Sequence, residues 1–232
     1  AGGGGTGVGG WKRYGGAREL AELLGGHLAN SGSGLTVAER AEAKGCPEDV
    51  LHSLGVTDGF AGDRSSRRPC VDIAYADESG ELKALRKRLS MDGPSRFIWR
   101  RGDKTILYGL PYLKDIKRSG KVVLVEGESD AWSLWHHRIP ALGIPGASTW
   151  KERFRLHLDG IEVYVWHEAD DGGDRLIDAV CQDLPDVRII EAPPDAKDPS
   201  DLCLLDPDNF KERMLALIEA AKIGRASCRG RV

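Results

Sequence analysis

The run VVLVEGESDAW, Val122 to Trp132, restricts the fold of this chain more than any other stretch. Its four apolar residues, three of them valine, read as a buried strand, and the acidic and polar residues that follow read as the first turn of a helix. A strand that passes directly into a helix implies a mainly parallel sheet covered by helices. In such sheets ligands sit beyond the carboxyl ends of the strands, which is where Glu126 falls. Gly127 lets a second backbone or a phosphate come close, because it has no side chain. Taken alone, the stretch is equally compatible with Glu126 as a cap on the helix that follows, since so short a motif arises by chance.

A second stretch, IEVYVWHEADDGGD from Ile161 to Asp174, repeats the arrangement. An apolar strand is followed by Glu168, Asp170 and Asp171, then two glycines, then a helix. Residues two apart share a face while the chain stays extended, so Glu168 and Asp170 can turn to one side. Clustered carboxylates repel and call for a cation, and an all-oxygen set suits Mg²⁺. Asp171 and Asp174 read as a solvated acidic turn. Glu168 and Asp170, joined by Glu126 from the earlier strand, read as a metal site. His167 lies beside them but has no second well-spaced histidine, and His136 and His137 lie at a helix end, so none is assigned a ligand role.

Glu-Gly after one strand and an acidic-x-Asp motif after a later one resemble the TOPRIM domain, which bacterial-type DNA primases share with topoisomerases and some nucleases and repair proteins. The run from Val125 through Glu126 and Gly127 to Asp130 resembles the primase form most closely. KDPSDL, Lys197 to Leu202, resembles the acidic segment that follows in primases, with Asp198 on a metal-associated position. Glu168 stands where many members have Asp, and Ser200 stands where a further acidic residue is often found, which puts a second metal in doubt. The resemblance is strong over the last half of the chain. The preceding segment resembles, more weakly, the basic subdomain of phage- and plasmid-type primases.

The resemblance implies Mg²⁺ or Mn²⁺ held by Glu168, Asp170 and Asp198, with Glu126 as general acid or base, or as a further ligand, and Asp130 in support. It implies primer synthesis from ribonucleotides on a single-stranded DNA template, in replication of a phage, plasmid or other mobile element. A replicative helicase is a candidate partner. A TOPRIM nuclease and a non-catalytic nucleic-acid-binding module stay open, because both would carry the same carboxylates. The zinc-binding template module of such primases is expected upstream of this sequence or missing, and no GxxxxGK[ST] helicase motif is present.

Net charge is −3 over 232 residues, so the whole-chain balance identifies no partner. The division of charge is more informative. From 61 to 118 there are about 14 Lys and Arg against about 8 Asp and Glu, and from 119 to 222 about 11 against about 21. A basic module therefore precedes an acidic one. In the basic module Arg86, Lys87, Arg88, Arg96, Arg100, Arg101 and Lys104 alternate with Phe97, Trp99 and Tyr108. Cations among aromatics suit a groove that neutralises phosphates and stacks bases. Phe97 and Trp99 are expected in the core, with the cations, Gly127 and Lys197 facing nucleic acid or nucleotide. The five cysteines form no CxxC pair, so neither a zinc site nor a disulfide framework is indicated. No apolar run approaches membrane-spanning length, and a cytoplasmic setting without a membrane partner is expected.

Five segments are expected. Residues 1–34 form a glycine-rich start and a helix from Tyr14 to Leu28. Residues 35–60 form a helical hairpin, its first helix opened by Thr36 and Glu39 as a capping box and stopped at Gly45. Residues 61–118 form a basic β-rich subdomain of two hairpins, turning at Asp77–Gly80 and at Gly102–Asp103. Residues 119–222 form an α/β TOPRIM domain, its strands near 121, 141, 161 and 187 alternating with helices at 151–158, 173–184 and 209–222, and a loop delivering Asp198. The basic, aperiodic 223–232 is read as a non-native tail.

Overall fold

The computed structural model describes residues 34–63, 65–93 and 96–224. The glycine-rich start, the helix expected at Tyr14–Leu28 and most of the expected tail lie outside the described residues.

Helix α1 (Val37–Ala43) begins as its sequence dictates: Glu39 N donates to Thr36 Oγ1 at 3.2 Å, and Thr36 N donates to Glu39 Oε2 at 2.8 Å. Gly45, at φ 57°, turns the chain out of it. Pro47 precedes α2 (Glu48–Ser53), which ends the expected helical hairpin earlier than residue 60. The next residues form strand β1 (Val56–Ala61), which the polar pair Asp58-Gly59 disguises in the sequence. Asp58 accepts the Val37 N–H at 2.8 Å, and Gly59 is required because a Cβ there would lie 2.4 Å from the Asp72 carboxyl group.

Strands β2 (Arg68–Ala76) and β3 (Leu82–Arg88) form the expected hairpin, and Asp77 in its turn accepts the Ser79 and Glu81 N–H groups. With β4 (Phe97–Trp99) they complete an antiparallel sheet in the order β1-β2-β3-β4. The second expected hairpin does not form. Asp103 turns back to accept the Leu85 N–H at 2.7 Å, and the chain leaves for the other sheet, where Tyr108 bridges Gly143 in antiparallel fashion. A short helix α3 (Leu113–Ser119), closed by Gly120 at φ 73°, then leads into the acidic half.

That half is built on a five-stranded sheet in the order β6-β5-β7-β8-β9. Strands β5 (Lys121–Glu126), β6 (Ala141–Ile144), β7 (Glu162–His167) and β8 (Arg188–Glu191) are parallel, as the strand–helix alternation requires. Between them run α4 (Glu128–His136), a 3₁₀ turn (Glu152–His157) where an α-helix was expected, and α5 (Asp171–Asp183). The expected loop after β8 contains a helix, α6 (Pro199–Leu205), ahead of α7 (Phe210–Ala220). Strand β9 (Lys222–Ile223) pairs antiparallel with β8, so Ile223 belongs to the sheet rather than to an excluded tail.

Side-chain alternation divides the parallel strands between two cores. Val122, Leu124, Val163 and Val165 pack with α3, α5 and the 3₁₀ turn. Val123, Val125, Tyr164 and Trp166 pack with α4, α6 and α7, and this core continues into Val71, Ile73 and Tyr75 of the antiparallel sheet. The two halves therefore share one apolar interior, and the carboxyl ends of β5 and β7 open towards the antiparallel sheet.

Candidate functional site

Glu126 is the last residue of β5, and its partial burial holds the carboxyl group above its usual range. Gly127 follows with φ 92°, donating its N–H to Ile144 O at 2.7 Å, and turns the chain directly into α4. Asp130 then lies in the first turn of α4 and is 3% exposed. Glu168 leaves the end of β7. The chain turns so tightly there that a Cβ on Gly173 would lie 2.0 Å from the Glu168 carbonyl oxygen. Asp198 caps α6, accepting the Asp201 N–H at 2.7 Å and the Ser200 hydroxyl at 2.8 Å.

The carboxylates of Asp130, Glu168 and Asp198 each offer an oxygen within 4.8 Å of the others. Burial, and then the nearby Asp198 charge, hold Asp130 well above the usual carboxylate range. Burial pushes Glu168 up to about 7, outweighing the Lys197 ammonium 3.0 Å away. Three oxygen donors this close, two of them buried, fit a hard divalent cation, which would remove the penalty of crowding their charges.

The grouping differs from the one expected from sequence. Asp170 is the N-cap of α5: its Oδ1 accepts the Gly172 and Gly173 N–H groups, each at 2.9 Å, and its Oδ2 meets Lys197 at 2.9 Å. The Gly173 N–H and then Lys197 hold its carboxyl group below the usual range. Asp130, expected only in support, takes its place beside Glu168 and Asp198. Lys197 clamps Glu168 and Asp170 together.

These acids form one wall of a cleft of about 610 Å³ between the two sheets. Arg40, Arg86, Arg88 and Arg96 form the facing wall, with Lys44 at its side. Arg86 and Arg88 share a face of β3, and their guanidinium carbons lie 3.9 and 4.7 Å from the Phe97 ring centre, with that of Arg96 at 5.7 Å. Stacking on an aromatic face in this way favours a cation. Phe97, expected in the core, is therefore half-buried beneath the arginines, and Trp99 is half-buried against Tyr75 at 4.9 Å. Burial, and then the neighbouring Arg40, lower Arg88 to about 10. The Nε atoms of Arg40 and Arg86 are buried without a hydrogen-bond partner among the described residues.

The other expected cations are elsewhere. Lys87 alternates to the opposite face of β3 and meets Asp72 at 2.7 Å. Arg100 pairs with Asp103, and Arg101 and Lys104 are exposed on that turn, away from the cleft lining. A second lobe of about 620 Å³ opens past Glu126, Glu168, Asp170 and Lys197 towards Ser148 and Arg175.

Sequence reasoning missed Arg40, Lys44 and Glu128. Arg40 occupies the buried stripe of α1 with Val37 and Ala41, and a cation at an apolar position of a helix was a usable signal. Glu128 is 4% exposed and accepts hydrogen bonds from Arg86 at 2.9 Å and Tyr75 at 2.5 Å. In the sequence it is indistinguishable from an ordinary acid in a first helical turn.

No family model matches the chain. It is similar to the primase fragment of the bacteriophage T7 primase-helicase protein, with 20% identity, a TM-score of 0.60, and coverage of 75% of this chain and 72% of that one. It is also similar to the RNA polymerase domain of Mycobacterium tuberculosis primase DnaG, at 14% identity and a TM-score of 0.66, over 81% of this chain and 76% of that one. Similarity to the zinc-binding and RNA polymerase domains of Aquifex aeolicus primase has a TM-score of 0.66 at 16% identity, covering 91% of this chain but 61% of the Aquifex chain. In sequence the chain is 34% identical over 131 residues to the Gene 57 protein of Mycobacterium phage D29, covering 54% of this chain and 85% of that protein. The chain thus belongs to the family of the phage D29 Gene 57 protein, and its fold is the primase-like TOPRIM fold.

Proposed function

We propose that this protein is a metal-dependent nucleotidyltransferase that makes RNA primers on single-stranded DNA during replication of a phage or another mobile element. The observation that carries this reading is the cleft itself, in which a carboxylate cluster from residues 119–222 faces an arginine wall, most of it from residues 61–118. Positioning and charge stabilisation are the main tasks in phosphoryl transfer, and the two walls divide them. Arg88 and Arg96 neutralise phosphate oxygens, Phe97 offers an aromatic surface beneath them, and Lys197 holds Glu168 and Asp170 at the carboxylate side. Asp130, Glu168 and Asp198 would hold a divalent cation, which would supply Lewis-acid stabilisation of developing charge. Glu126, raised by its burial, is the stronger proton acceptor for it and takes the proton of the attacking hydroxyl. A replicative helicase is a candidate partner, in keeping with the T7 similarity.

The test is incubation with single-stranded template, labelled ribonucleotides and Mg²⁺ or Mn²⁺. New short RNA products are expected, and Glu126→Gln should lower their rate about 10²–10⁴-fold. Shortened template in place of new product would mean a nuclease, and neither would mean a binding module.

A further inference from the structure

We infer that the amino end of the parallel sheet carries a docking pocket for an acidic peptide segment of another protein, anchored by one large apolar side chain. A cavity of about 310 Å³ lies there, between the chain leaving α4 and one face of α7. Ile139, Leu215 and Ile218 give it an apolar lining, and Leu215 is 42% exposed. A volume of that size takes one large side chain and little more. Lys121, Arg138 and Lys211 stand around it, and none of them pairs with a carboxylate among the described residues.

Arg138 is the distinguishing feature. Its φ is 62°, and among the described residues no other residue except glycine has a positive φ. It closes α4 in the left-handed conformation, with the Ile139 N–H reaching back to Leu134 O at 2.9 Å, a position that glycine ordinarily fills. A side chain there is strained, and strain retained at one position points to a use for the group that causes it. What arginine adds over glycine is a cation at the mouth of an apolar pocket.

The partner's chemistry follows from that charge. Three cations without a carboxylate partner among the described residues, around an apolar lining, call for carboxylates flanking an apolar anchor. The chain's own segments outside the described residues do not supply this: 225–232 carries Arg225, Arg229 and Arg231 and no acid, and 1–33 carries Lys12, Arg13 and Arg18 against Glu19 and Glu22. The pocket lies at the opposite end of the strands from the carboxylate cleft, so a bound segment leaves the cleft open. The inference does not depend on the proposed activity.

The experiment is fluorescence polarisation on the full chain, with a fluorescein-labelled peptide of four aspartates followed by a phenylalanine and a glycine. Arg138→Gly and Lys211→Ala should each weaken binding about threefold or more. Leu215→Asp should abolish it, as should serine in place of the peptide's phenylalanine. Arg138→Gly also relieves the positive φ and should raise the melting temperature, so its loss of binding cannot come from unfolding. Absence of binding, parent-like affinity in Arg138→Gly and Lys211→Ala, or equal affinity for the serine peptide would each overturn the inference. So would complete competition by an oligothymidylate of equal charge, which would assign the cations to nucleic acid.

Discussion

Arg86 donates through Nη1 to Glu128 Oε1 at 2.9 Å, and the pair joins strand β3 of the antiparallel sheet to the first turn of α4. Tyr75 gives its hydroxyl hydrogen to the same oxygen. Removing one partner of a buried ion pair strands the other charge. Glu128→Ala is therefore expected to cost about 3–5 kcal/mol of stability. Adding Arg86→Met should recover part of that loss. Denaturant titration of the parent, both single variants and the double variant measures the coupling, and independent losses would mean that the pair does not join the two sheets energetically.

The metal cluster separates from its neighbour by substitution. Mn²⁺ should raise the melting temperature of the parent, and Glu168→Gln with Asp198→Asn should remove that rise. Asp170→Asn should keep most of it while losing up to about 2 kcal/mol of stability from the weakened cap and the lost Lys197 contact. Calorimetric Mn²⁺ titration distinguishes the two, and equal loss of affinity in both variants would return Asp170 to the ligand set.

Without metal, Glu168 titrates near pH 7 in the folded protein, against 4.5 for the ordinary side chain. Between those values the folded state holds a proton that the unfolded chain has released. Its contribution to stability is full below about pH 4.5 and is lost as pH rises through about 7, by an amount on the order of 3 kcal/mol. In chelator, stability should fall from pH 5 to pH 8, and Glu168→Gln should flatten that fall. Metal binding should in turn release protons near pH 6, because the ligands bind as carboxylates. A chelated parent whose stability rises across this range would contradict the assignment.

Cations in the cleft and cations on other faces should differ in their effect on DNA binding. Arg96→Ala should weaken binding to single-stranded DNA and reduce the salt slope by about 0.7. Lys87→Ala, which loses only the contact with Asp72, should leave the slope unchanged. Salt titrations of the two variants beside the parent test this, and equal slopes in all three would remove the arginine wall from the nucleic-acid path.

The parallel sheet was legible because strands buried on both faces leave continuous apolar runs such as that of Val122 to Val125, set between Gly120-Lys121 and Glu126-Gly127. Helix α1 was legible because its capping box is local chemistry. Strand β1 was not, since Asp58 and Gly59 serve α1 and Asp72, partners that only the folded chain brings near. The false hairpin after Trp99 arose because Gly102-Asp103 does make a turn, but Asp103 spends its carboxylate on Leu85 and no partner strand follows. In the cleft, the positions of Glu126 and Glu168 at the ends of β5 and β7 could be read from the sequence, and the nearness of Asp198 from the TOPRIM resemblance. That Asp130 stands beside Glu168 and Asp198 while Asp170 caps α5 could not, because it depends on which carboxylate the glycine N–H groups of α5 capture. Lys87 was misplaced although alternation along β3 would have separated it from Arg86 and Arg88.

The bridge between Tyr108 and Gly143 has a consequence for how the chain may be divided. Tyr108 N donates to Gly143 O at 2.8 Å, and Gly143 N returns the bond at 3.0 Å, covering part of the outer side of β6. A Cβ on Gly143 would lie 2.6 Å from the Gly127 carbonyl oxygen and 3.1 Å from the Tyr108 Cβ, so the position admits no side chain without displacement. A fragment starting at α3 would keep the whole parallel sheet but bare this row of peptide groups, with apolar Ala141, Leu142 and Ile144 around it. Open strands of that composition recruit other copies of themselves. The acidic half, cut away at what looks like a domain boundary, is thus expected to self-associate through β6, which makes the segment before α3 a built-in guard against polymerisation rather than a tether.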